Sequence, residues 1–261
     1  MTDSSSPDSL QAALQALIDE LRAQSDLRAA AAILHRAALA CGLTHVGVVG
    51  DVSHPDALRD AGGEALTDLL GWPRDFIAEW LERGYSAGSA SMVAARLRHL
   101  PFAWPAASWP DGPPLPDGSR ELAVLARLGI TGGVMVPVRL PRGRFAAVNW
   151  LGPLDRAASE RLTDAAGPEL LLLAHYFLEL VRERSDPPAA AEDLARMTAR
   201  ELECLTLIAK GASDAEAARA LGLSERTVRF HIANATEKLG SRSRSHAVAL
   251  ATQLGILGSV F

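Results

Sequence analysis

Apolar residues at Leu10, Ala13, Leu14, Leu17, Ile18 and Leu21 recur at the spacing of one helical face, which predicts an amphipathic helix over residues 9–23. A second helix is expected from Asp26 to Cys41, stopped by Gly42. Thr44–Gly50 then reads as a strand. Pro73 can open a helix at its first position, with Phe76, Ile77, Trp80 and Leu81 on one face and Gly84 past its end. Further helices are expected over Ser91–His99 and Glu121–Leu128, with the proline-rich stretch Pro105–Gly118 between them as a surface loop. Gly133–Leu140 and Arg144–Leu151 are apolar strands whose short Pro-Arg-Gly connection predicts a hairpin. Glu169–Arg184 predicts a long helix, its apolar face wide enough for one thick core or for a core plus a dimer partner.

Past residue 192 the pattern changes to short helices alone. Thr198 and Glu201 have capping-box spacing and open a helix that ends at Gly211; Ser213 and Glu216 repeat the device for a helix over Asp214–Leu221, closed by Gly222. Ser224 caps a third helix running to Leu239, and Ser245 is expected to cap a fourth over His246–Leu254. Only Gly222, Leu223 and Ser224 separate the second and third helices, the spacing of a helix-turn-helix whose second helix enters the DNA major groove. In that helix Val228, Ile232, Ala235 and Leu239 are spaced for burial, Arg226, Arg229, Ala233 and Lys238 lie largely on the other side, and Thr227 and His231 run along one flank. A four-helix scaffold that binds protein rather than DNA has the same spacing.

Composition sharpens this division. The chain has 261 residues, 48% hydrophobic and 22% charged, with net charge −5, an ordinary globular balance. The acidic excess lies in the first part, whereas Arg219, Arg226, Arg229, Lys238, Arg242 and Arg244 outnumber Glu225 and Glu237 within residues 219–244. Two prolines in Ser185–Glu192 mark a linker, giving domains over 1–184 and 193–261 with 185–192 between them. The polar start has no secretory pattern, and the most apolar stretch, Leu170–Val181, is interrupted by His175 and Glu179, so a cytoplasmic protein is expected. Cys41 and Cys204 are far apart, and His35, His45, His54, His99 and His175 are scattered, so neither metal nor cofactor nor catalysis is expected. A phosphorylated receiver needs a lysine near its aspartate, and the first lysine is Lys210.

The tail residues Met197–Leu205, Ala209–Ala218, Leu223–Ile232 and Glu237–Gly240 resemble the LuxR-type DNA-binding domain over residues 195–257. That resemblance implies double-stranded DNA as partner, homodimers on inverted-repeat promoter sites, and a base-contacting position for Arg229. It puts Thr227, His231 and Lys238 at or near phosphates; Arg226, Asn234, Arg242 and Arg244 complete the expected DNA-binding set.

Upstream, Gly71–Trp80, Gly84-Tyr85, Pro101–Trp104, Gly129–Pro137 and Arg142–Trp150 resemble the autoinducer-binding domain of quorum-sensing LuxR-type regulators over roughly residues 10–180. The resemblance implies an α-β-α sandwich around a five-stranded antiparallel sheet that binds N-acyl-homoserine lactones or a related acylated signal. Trp104 matches the tryptophan that donates to the lactone carbonyl. Phe76 and Trp80 match pocket aromatics, Gly133 a glycine before the strand closing the pocket, and Asn149 a position often Ser or Thr; Tyr85 and Met135 join the expected lining. Ser89-Ala90 stands where the family has Asp-Pro, and no acid lies between Glu82 and Asp111. The loss of that carboxylate points to an altered ligand, or to a regulator that needs none, and Ser89→Asp is expected to raise a lactone response.

Overall fold

A computed structural model describes residues 7–49, 59, 62–85, 89–105, 119–140, 145–185 and 197–257. The chain divides into two compact units, Met1–Arg139 with Phe145–Ser185, and Leu140–Arg144 with Asp186–Phe261. Most of the expected linker, the proline-rich loop from residue 106 onward and the hairpin turn at 141–144 lie outside the described residues.

In the first unit, helix α1 (Pro7–Arg22) buries Leu14, Leu17, Ile18 and Leu21 and packs on α2 (Leu27–Ala40). Asp26 caps α2 by accepting from the Ala29 N–H, and Gly42, at φ 72°, takes the left-handed turn after it. Strands β1 (His45–Val49), β2 (Phe102–Trp104), β3 (Gly132–Arg139) and β4 (Phe145–Gly152) form an antiparallel sheet in the order β1-β4-β3-β2. Among the described residues the sheet therefore has four strands, where the resemblance implied five. β3 and β4 are buried along nearly their whole length, because helices cover both faces.

Register sorts the side chains. Val46, Val134, Val136, Val148 and Trp150 point to one face, where Trp150 Nε1 donates to the Leu34 carbonyl of α2. Gly47, Phe102, Trp104, Met135 and Asn149 share the other face. Helix α3 (Leu66–Leu69) packs on α2, and the short helices α4 (Arg74–Glu82), α5 (Ala90–Leu97) and α6 (Ser119–Ala126) gather on the side of the second face. Pro73 is the N-cap of α4 rather than its first residue, and Leu81 is exposed rather than on the buried face.

Helix α7 (Arg156–Ser185) starts well before Glu169, where the sequence pattern placed it. Gly167-Pro168 reads as a stop, yet the helix passes through: Ala166 and Leu170 are fully buried on either side, and packing offsets the missing N–H of Pro168.

Among the described residues the second unit is four helices, α8 (Ala199–Ala209), α9 (Asp214–Leu221), α10 (Glu225–Lys238) and α11 (Arg244–Gln253). Both capping boxes form in full, and Gly222 turns left-handed at φ 67° before Ser224 caps α10. Cys204, Leu205, Ala217, Val228, Ile232, Ala235 and Ala247 make up its interior. Ser243, not Ser245, caps α11 by accepting from the His246 N–H. Serines at 241, 243 and 245 offer three candidate caps, and burial of Ala247 and Ala251 selects the frame. No described helix is long and apolar enough to cross a membrane.

Candidate functional site

Helix α10 buries Val228, Ile232 and Ala235 and leaves the opposite side to solvent. Arg226, Arg229 and Ala233 are exposed there, as expected, and so is Phe230, 61% exposed, a residue the sequence reading passed over. Its signal was available: a large apolar side chain on the polar face of an otherwise amphipathic helix. Thr227 and His231 are half-buried on one flank with Asn234, and the Thr227 hydroxyl lies 2.8 Å from the Ser224 hydroxyl.

Asp214, the first residue of α9, holds two cations at the edge of this surface. Its Oδ1 is 2.6 Å from Arg244 Nη1 and its Oδ2 is 3.8 Å from Arg229 Nη1, which also lies 3.5 Å from Glu225. Asp214, Arg229 and Arg244, together with Ala233, Glu237 and Ser241, line an open groove of about 650 Å³. Arg242 is exposed just before the N-cap of α11, its backbone N–H donating to His246 Nδ1.

Lys238 departs from its expected place on the outer face. Its Nζ sits 2.9 and 2.8 Å from the two carboxylate oxygens of Glu201, which is 3% exposed, so the ammonium joins α10 to α8 from within. Burial pushes the Glu201 carboxyl up, but Lys238 and the N–H and hydroxyl of Thr198 outweigh it and hold the group below the usual carboxylate range.

The second candidate site lies in the first unit, on the sheet face bearing Trp104, Met135 and Asn149. Trp72, Phe76, Trp80 and Tyr85 form a ladder of rings with successive centroids 5.1, 5.6 and 5.0 Å apart. Trp72 anchors it, its Nε1 donating 2.6 Å to the Val46 carbonyl. Phe76, Trp104 and Met135 are buried, and Trp80 and Tyr85 half-buried. Asn149 is 8% exposed and its Oδ1 has no hydrogen-bond partner among the described residues. It lies beside Gly47, where a Cβ would come 3.5 Å from Asn149 Nδ2 and 3.7 Å from Trp72. Gly133 has a different reason to be glycine: at φ 155° a Cβ there would fall 2.0 Å from the Trp150 carbonyl oxygen, and its N–H donates to Ser159. It shapes the strand.

Ser89 is buried as the N-cap of α5, its hydroxyl oxygen accepting from the Met92 N–H. It lies 3.0 Å from the Ser91 hydroxyl, which donates to the carboxylate of Glu121 on α6. Glu121 is 4% exposed. Burial pushes its carboxyl above the usual range, and the Ser91 hydroxyl and N–H, the Ser89 hydroxyl and the Ala90 N–H draw it only part of the way back. An acid therefore stands close to position 89 after all, brought there from another helix. Grouped His, Cys, Asp and Glu side chains able to hold a metal are absent among the described residues.

Comparison with known proteins agrees with both halves. The model for bacterial regulatory proteins of the luxR family matches residues 195–251, and the autoinducer binding domain model matches residues 26–181. The quorum sensing-dependent transcriptional regulator RpaR of Rhodopseudomonas palustris is 30% identical over 217 residues, 83% of this chain and 84% of RpaR. The transcriptional activator AhyR of Aeromonas hydrophila is 31% identical over 150 residues, 55% of each chain. Among solved structures, SdiA in complex with octanoyl-rac-glycerol superposes with a TM-score of 0.60 at 16% identity, covering 98% of both chains, a likeness of fold. These relatives are transcriptional regulators rather than enzymes. The chain belongs to the LuxR-type quorum-sensing regulators, DNA-binding transcription factors that join an autoinducer-binding domain to a helix-turn-helix domain.

Proposed function

We propose that this regulator works in the cytoplasm as a homodimer on inverted-repeat promoter sites, and that an acylated small molecule held against the aromatic ladder governs its DNA binding. The observation that carries the first part is the exposed face of α10. Arg229, at its edge, reads guanine O6 and N7. Arg226, Thr227, His231, Asn234, Arg242 and Arg244 supply phosphate or flanking contacts, which set register without reading sequence.

The ligand half is supported by the chemistry of this sheet face: rings to cover an acyl chain, and Asn149 Oδ1 as a buried acceptor without a partner among the described residues. The solved SdiA complex with octanoyl-rac-glycerol makes an acylated ligand reasonable for this fold. N-octanoyl-homoserine lactone and 1-octanoylglycerol, titrated separately by calorimetry and in thermal-shift assays, test it. Saturable binding that raises the melting temperature supports the reading, and no binding of either refutes it for these ligand classes.

A second reading, a regulator that needs no ligand, is favoured by Ser89 standing where the family has an acid. It predicts abundant dimer, expressed without added signal, that binds its promoter equally with and without both compounds.

A further inference from the structure

Ser89, Ser91 and Glu121 form a directional chain of hydrogen bonds. Each serine hydroxyl has one hydrogen and two lone pairs. Ser91 gives its hydrogen to Glu121, leaving its oxygen to accept from Ser89, 3.0 Å away. Ser89, whose oxygen already accepts from Met92 N–H, thus turns its hydrogen inward toward the serine–carboxylate pair and keeps one lone pair uncommitted. A lone serine could donate or accept; one whose hydrogen is drawn toward an ionised carboxylate can only accept. α5 packs on β3 and β4, the strands that carry Met135 and Asn149. Asn149 Oδ1, nine-tenths buried and without a partner among the described residues, is a second acceptor on that side of the sheet.

We propose that Glu121, acting through Ser91, fixes Ser89 as a hydrogen-bond acceptor in the signal chamber. The ligand head this chamber selects then carries two N–H or O–H donors, one for Ser89 and one for Asn149. Glu121 is a positioning residue: it acts from α6, through Ser91, on the hydroxyl of Ser89. The inference rests on the ligand-sensing reading above and deepens it. It also reverses the expectation for Ser89→Asp, since a second carboxylate beside buried Glu121 adds like-charge repulsion.

The test is an affinity series on the full-length protein with 1-octanoylglycerol, whose head has two hydroxyl donors, and N-octanoyl-homoserine lactone, whose head has one amide donor. The wild type is expected to bind the glycerol ester more tightly; tighter binding of the lactone overturns the two-donor head. Glu121→Gln, whose amide no longer dictates the direction of the chain, and Ser91→Ala, which interrupts it, are each expected to weaken binding by roughly five- to thirtyfold. Ser89→Asp alone is expected to weaken binding, and Ser89→Asp in the Glu121→Gln background to recover it, a change of sign that a merely structural glutamate does not produce. Unchanged affinity in Glu121→Gln, or no recovery in the double variant, overturns the proposal. Should Glu121→Gln not fold, Ser91→Ala and Ser89→Asp decide it, through loss in both or retention in both. Failure of the wild type to bind either compound defeats the ligand reading itself, an outcome distinct from equal binding by wild type and variants.

Discussion

Removing the Lys238 ammonium leaves the Glu201 carboxylate, 3% exposed, with only the N–H and hydroxyl of Thr198 beside it. Stranding a hydrogen-bonded buried charge costs about 1.5–3 kcal/mol. Lys238→Ala should therefore lower the stability of the helix-turn-helix unit by that amount in chemical denaturation, and a variant as stable as the wild type would contradict this role. Arg229 is the opposite case: its ion pairs with Asp214 and Glu225 are long and its side chain is 59% exposed, so truncation should barely move stability. Arg229→Ala is instead expected to remove about 1–3 kcal/mol of base discrimination, read as convergence of specific and random-duplex affinities. Spacing alone could not separate these two cations, because the partner that claims Lys238 lies 37 residues away on α8. Glu121 escaped notice for the same reason. It meets Ser91 across 30 residues, and a search for an acid near Ser89 in sequence stops short of α6.

Elements were legible where a local signal sets both ends. α9 and α10 have a serine cap at the start of each and Gly222 between them, and their spacing gave the helix-turn-helix directly. The signal misled where tertiary packing overrode it, as at Pro168 inside α7, or where three alternate serines competed to start α11. The apolar runs of β3 and β4 read as strands, but only the register brings Met135 and Asn149 to one face, and no local pattern could say that Gly133 is pressed against the Trp150 carbonyl. On α10 the face opposite the core carries Phe230 as well as the arginines. An apolar side chain presented to the major groove packs against thymine methyl groups. Phe230→Ala is expected to leave the melting temperature within the small range typical of surface changes, while weakening binding to promoter sites in a mobility-shift titration. Full retention of promoter affinity would remove Phe230 from the recognition surface.

At the scale of the whole chain, the proposed dimer would join two recognition helices, so that each half-site contact would raise the effective concentration of the other. A duplex with one half-site should bind about 10²- to 10⁴-fold more weakly than the inverted repeat, and equal affinities would speak for a monomeric DNA complex.

The two buried glutamates give the halves of this molecule contrary responses to acid. Glu121, held above the ordinary carboxylate value of 4.5, contributes stability that is complete below that value and disappears as pH rises through its own elevated one. Glu201, held below 4.5, contributes stability that is complete above that value and disappears as pH falls through its own depressed one. Lowering the pH from neutrality should thus tighten the signal-receiving half before it loosens the half that grips the duplex, and calorimetric scans across that range should resolve two transitions drifting apart.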